Sequence, residues 1–142
     1  MIWRKLILLI SGLTRNSEGA DGPWSTWILR AGTPEQDLRV TISTASPNTF
    51  VVMPDGCSPQ VISKPPANCA KARGYLFDPK SSSSWIDRGL NKMNGGDVGV
   101  GASLGYNTTA EFGIETIALG TTGPSLFNQT IAGFVDPKPM YL

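Results

Sequence analysis

Hydrophobic and polar side chains alternate along much of this chain with the period of a strand. Leu38, Val40 and Ile42 share one face, and Arg39, Thr41 and Ser43 take the other. That pattern predicts a half-buried strand from Leu38 to Thr44, with Ser43 projecting away from the Leu-Val-Ile face. Trp24 to Arg30 alternates more loosely and ends at the turn residues Gly32 and Pro34. Thr49 to Met53 is a short apolar run, β-branched and aromatic, and predicts a buried strand. Pro54-Asp55-Gly56 stops it, because proline fixes one φ and glycine accepts a positive one. Residues 57–69 read as a proline-bearing loop, Ser81 to Arg88 as a short helical turn, and Asn91 to Gly105 as a glycine-rich connection. Glu111 to Leu119 and Leu126 to Val135 predict two further strands. There is no internal repeat and no heptad pattern. The expectation is an all-β chain.

Composition narrows the chemistry. The 142 residues fit one domain. The 16 glycines and 11 prolines argue against long helices and suit short strands joined by turns. A net charge of +1 offers no electrostatic surface for nucleic acid. There is no histidine, which excludes Ser-His-Asp and Cys-His catalysis and histidine-ligated metal. The glycine-rich stretch lacks the Gly-Lys-[Ser/Thr] ending of a phosphate loop. No cofactor and no metal are expected.

Cys57 and Cys69 are too few for a zinc site and too far apart for a Cys-x-x-Cys redox pair. One disulfide closing a short loop is the plain reading, and two free thiols are the alternative. A disulfide of that loop length stabilises by roughly 3 kcal/mol in the chain-entropy model and implies an oxidising compartment. Met1 to Lys5 is basic and Leu6 to Leu13 largely apolar. Residues 1–20 therefore have the form of a secretory signal segment, too short to span a membrane, with a poor cleavage site because Glu18 precedes Ala20 by two. A buried first strand is the other reading of the same residues. Sequons at Asn107-Thr108-Thr109 and Asn128-Gln129-Thr130 make Asn107 and Asn128 candidate glycosylation sites, compatible with a secreted, extracellular protein.

Several motifs in a fixed order carry a resemblance. Asp21-Gly22-Pro23-Trp24-Ser25 leads to Gly32-Thr33-Pro34-Glu35-Gln36, then to Ser43-Thr44-Ala45-Ser46 and an apolar strand. Arg73-Gly74-Tyr75-Leu76-Phe77-Asp78-Pro79 precedes a serine run, Ser81 to Ser84, that ends on Trp85. Leu104-Gly105-Tyr106 precedes Glu111 to Gly120, and Ile131-Ala132-Gly133 comes near the end. Taken together, residues 21–142 resemble the N-terminal lobe of the pepsin-like aspartic peptidases, most of all the secreted, fungal-type members. The resemblance implies an all-β, acid-protease β-barrel or sandwich lobe. It implies an active-site loop at residues 43–46, a flap hairpin with Tyr106 as its substrate-facing tyrosine, and Ile131-Ala132-Gly133 packed beside the active-site loop.

The family's motif at that loop is Asp-Thr-Gly-Ser. Here Ser43 stands at the acid and Ala45 at the glycine, while Thr44 and Ser46 match. Pepsin-like enzymes use two aspartates, one per lobe, which share a proton because two close carboxylates do not both ionise. A serine hydroxyl holds a water by hydrogen bonds but does not activate it, and with no histidine Ser43 is not an activated nucleophile. No Asp-Thr-Gly or Asp-Ser-Gly occurs anywhere in the chain. The remaining acids, Asp55, Asp78, Asp87, Asp97, Glu111 and Glu115, are expected in solvated positions. The leading expectation is a non-catalytic, secreted pepsin-like lobe with no intact catalytic residue. It would bind a peptide or protein ligand in its half-cleft, and its uncovered face would permit self-association. Two alternatives stand beside it: a partial chain of a longer secreted aspartic endopeptidase paralogue, and a small secreted structural or interaction module.

Overall fold

The computed structural model describes residues 16–18, 24–42, 48–60, 64–94 and 107–134. They form strands β1 (Asn16–Glu18), β2 (Trp24–Ala31), β3 (Gln36–Val40), β4 (Thr49–Val52), β5 (Ile86–Asn94), β6 (Asn107–Leu119) and β7 (Ser125–Phe134). Among the described residues, helix is confined to one turn, α1 (Cys69–Ala72), and to 3-10 turns at Pro54–Cys57 and Pro79–Ser81. The all-β expectation holds.

Alternation and a tight turn make the first hairpin. β2 and β3 pair antiparallel from Trp27↔Val40 to Ala31↔Gln36, and Gly32 turns the chain with a φ of 92°, which suits a residue without Cβ. The Arg30 guanidinium ties this hairpin to the turn after β6. Its Nε donates to Gly120 O at 2.7 Å, Nη2 to Gly123 O at 2.7 Å, and Nη1 to Glu35 Oε2.

β6 is the spine of the fold. It pairs antiparallel with β5 from Ile86↔Ile114 to Asn94↔Asn107, with β7 from Ala110↔Phe134 to Ala118↔Ser125, and with β2 near Ala31↔Ile117. β4 then joins β7 in parallel, Thr49↔Ile131 to Val52↔Phe134. β1 lies within the stretch expected to be signal-like and pairs with Trp24–Thr26 of β2.

Because strand side chains alternate, the β4–β7 pair is apolar on both faces. Val51 and Ile131 face one core together with Leu29, Ala31, Leu38, Met53, Phe77 and Ile117. Phe50 and Ala132 face a second cluster with Met93, Ala110 and Phe112. Burial on both faces is the usual setting of parallel pairing and explains the unbroken apolar run of β4. Gly133 is needed here, since a Cβ on it would lie 2.2 Å from Met53 Sδ.

Two expectations are corrected. β3 ends at Val40, and Ile42 is 61% exposed, because the chain leaves the sheet before the alternation runs out. The predicted helical turn over Ser81–Arg88 is instead a 3-10 turn at Pro79–Ser81 followed by β5 from Ile86. β5 is exposed along most of its length and is a strand because β6 pairs with it, not because of its own pattern.

The disulfide between Cys57 and Cys69 is formed, with Cα atoms 5.9 Å apart. The segment that follows Cys69 is held to β3 through Arg39. Arg39 N donates to Gly74 O at 2.8 Å, and its guanidinium lies 5.4 Å from the Tyr75 ring centroid.

Trp85 closes the first core. Its ring sits 5.5 Å from that of Phe77, and a Cβ added to Gly113 would fall 2.2 Å from the Trp85 ring. Gly113→Ala is therefore expected to cost about 2 kcal/mol of unfolding free energy, as overpacking does. Urea denaturation checks it. Trp85→Phe, which removes the atoms in the way, should be better tolerated in the Gly113→Ala background than in the parent. Equal stability of parent and Gly113→Ala would contradict this packing.

Candidate functional site

Ser43, Thr44, Ala45 and Ser46 lie outside the described residues, as does Tyr106. The structure fixes what enters and leaves the serine-containing segment. Thr41 and Ile42, both exposed, follow β3, and the exposed Asn48 leads into β4. The strand that leaves the segment is thus the one paired in parallel with Ile131-Ala132-Gly133. Tyr106 directly precedes β6, whose first pair, Asn107↔Asn94, belongs to the β5–β6 hairpin. β5 runs on to Asn94, four residues into the stretch expected from Asn91 as a glycine-rich connection. Cys57 and Cys69 are joined as expected, and Asn128 is exposed on β7. Asn107 opens β6, and its side chain lies outside the described residues.

The polar centre that the structure does describe was not anticipated. Glu115, expected in a solvated position, is 1% exposed. Alternation on β6 puts it on the buried face with Gly113 and Ile117. The serine run and the hairpin turn supply its partners. Ser82 Oγ donates to Glu115 Oε2 at 2.7 Å, while Ser84 Oγ, at 2.5 Å, and Thr116 N, at 2.7 Å, donate to Oε1. Thr33 N in turn donates to Ser82 Oγ at 2.9 Å, and Thr33 Oγ1 lies 2.8 Å from Ser84 Oγ. Since Ser84 has one proton and gives it to the carboxyl, the Thr33 hydroxyl is left to donate to Ser84. Ser83 N also donates to Thr33 O at 2.8 Å. Gln36 completes the lock from the other side of the turn: its Nε2 donates to Asp78 O at 2.9 Å, and Asp78 N donates to its Oε1 at 2.8 Å. The Gly-Thr-Pro-x-Gln turn, the serine run and β6 are thereby one hydrogen-bonded unit. These bonds tie three separate segments together, so the unit holds shape.

Glu111 lies four residues before Glu115 on β6 and is half-buried. Burial holds its carboxyl above the ordinary carboxylate range, Asp87 and then Asp55 add to the shift, and Lys80 opposes it. Among the described residues no three His, Cys, Asp or Glu side chains gather in a way that could hold a metal ion. No helix among them is long and apolar enough to cross a membrane, and the disulfide is compatible with an extracellular protein.

Neither protein-family models nor curated proteins match this chain.

The Glu115 centre predicts a graded response. Glu115→Ala strands two serine hydroxyls and a backbone N–H in a buried site and should lower stability by about 3 kcal/mol. Glu115→Gln keeps the volume but offers one acceptor oxygen in place of two, and should fall between. Urea titrations followed by tryptophan fluorescence provide the readout. A loss under about 0.5 kcal/mol for Glu115→Ala, the usual range of a surface change, would rule the network out as a clamp.

Proposed function

We propose that this chain is a secreted pepsin-like lobe in which Ser43 replaces the catalytic aspartate, a domain that holds an extended peptide or protein segment without cleaving it. The observation that carries this reading is the parallel pairing of β4 with Ile131-Ala132-Gly133. It joins the strand leaving Ser43–Ser46 to the apolar-apolar-glycine element that the resemblance sets beside the active-site loop. The β2–β3 hairpin gives further support. It is closed by Ala31↔Gln36 around Gly32-Thr33-Pro34 and delivers the chain towards Ser43.

The chemistry follows from the residue at 43. Aspartic peptidase action needs one carboxylate to take a proton from water and one carboxyl to give a proton to the substrate carbonyl. A hydroxyl at 43 supplies neither at ordinary pH. Ala45 adds a Cβ where the family has glycine, which narrows the space for loop approach. Thr44 keeps the hydroxyl with which the family ties its active-site loops together. A peptide laid across such a site would be bound through its backbone, with Tyr106 closing over it.

Purified protein incubated with unfolded substrate from acid to neutral pH should give no cleavage above buffer. Cleavage that a pepstatin-type inhibitor abolishes would overturn the proposal. Ser43→Asp tests the same point from the other side: a lone added acid should not confer activity, because the two-acid site needs a partner carboxyl.

A further inference from the structure

β7 begins with apolar side chains in water. Leu126 is 49% and Phe127 70% exposed, whereas Ile131 and Ala132 further along the same strand are buried. The change follows a break in register. Gln129 pairs with Glu115 and Leu126 with Ile117, so Phe127 and Asn128 together face Thr116. This is a bulge, which bends a strand and re-aims its side chains. Asn128 sits in it with a φ of 57°, a left-handed conformation that asparagine accepts more readily than most residues. The Gln129 Nε2 donates to Phe127 O at 2.8 Å and bridges the bulge. Asn128 and Thr130, the acceptor and the hydroxyl of the sequon, are both exposed.

We propose that Asn128 carries an N-linked glycan whose first sugars lie over Phe127 and Leu126. This rests on the reading that the chain enters the secretory pathway. In the transfer, the Asn128 side-chain nitrogen forms a bond to the anomeric carbon of an oligosaccharide carried on a lipid diphosphate. The anomeric C–O bond breaks, the lipid diphosphate leaves with the electron pair, and the amide nitrogen loses one proton. The co-reactant is that lipid-linked sugar, supplied by the secretory membrane.

The patch explains why a sugar settles here. Sugar rings carry an apolar C–H face, and an exposed phenyl ring offers a flat apolar surface beside it. Tethering through the neighbouring residue makes the contact intramolecular, so weak packing is enough to populate it. Covering Phe127 and Leu126 removes apolar area from water that would otherwise be free to meet a second chain.

The test uses the full chain behind an appended secretion signal, expressed in glycosylating cells, with gel mobility and mass measured before and after N-glycosidase. One glycan increment should disappear in Asn128→Gln and in Thr130→Ala and persist in Thr130→Ser. An unchanged increment in Asn128→Gln would overturn the assignment. The glycosidase-treated protein should self-associate more in sedimentation than the untreated form, and Phe127→Ser should abolish that gain. A treated protein that stays monomeric would overturn the seating of the sugar on the patch. The appended signal delivers the chain whatever residues 1–20 do, so loss of glycosylation is distinct from failure of secretion, which expression without the added signal reads.

Discussion

The fold depends on a parallel pair formed by two segments far apart in the chain. β4 and β7 meet over Thr49–Val52 and Ile131–Phe134, and their side chains feed both apolar clusters. Val51, Ile131 and Ala132 are buried there and Phe50 is half-buried, so a polar or bulky change on either face is costly. Gly133 makes the approach possible by leaving room for Met53. Because β4 follows directly from residues 43–48, whatever those residues do is anchored by this pair.

The second organising feature is polar. Burying a carboxyl is costly unless its oxygens are satisfied, and Glu115 is satisfied by Ser82, Ser84 and the Thr116 N–H. Its partners hold the turn at Thr33, so the serine run acts as a latch between β6 and the β2–β3 hairpin. Three motifs separated in sequence, the Gly-Thr-Pro turn, the serines and the end of β6, are therefore a single structural device. Their co-occurrence needs no catalytic role. A chain can keep this device and the two-faced β4–β7 pair while its chemistry is lost, which is the combination proposed here.

Much of this was legible in the sequence, and the failures have physical causes. β2, β4, β6 and β7 were visible because each buries a face and so carries a pattern. β5 was not, because Ile86–Asn94 is held by hydrogen bonds to β6 and buries little beyond Met93. Ile42 continues the alternation of Leu38 and Val40 in sequence but not in space, since pattern does not record where a strand leaves its sheet. Glu115 was misjudged on residue type alone. Its parity with Gly113 and Ile117 carried the signal, and the run of hydroxyls at 81–84 supplied candidate donors. The disulfide was readable from count and spacing. The candidate site was legible only through the resemblance, since Ser43, Thr44, Ala45 and Ser46 form no chemical motif by themselves.

The most direct test of the central claim is an amide-resolved NOE spectrum of the labelled protein across residues 41–50 and 129–134. A lobe of the proposed kind gives cross-strand contacts between β4 and β7 together with contacts from the Thr44–Ser46 backbone to Ile131–Gly133. Intact β4–β7 contacts with the Thr44–Ser46 amides remote from β7 would contradict it, and the serine-containing segment would then be an ordinary surface turn.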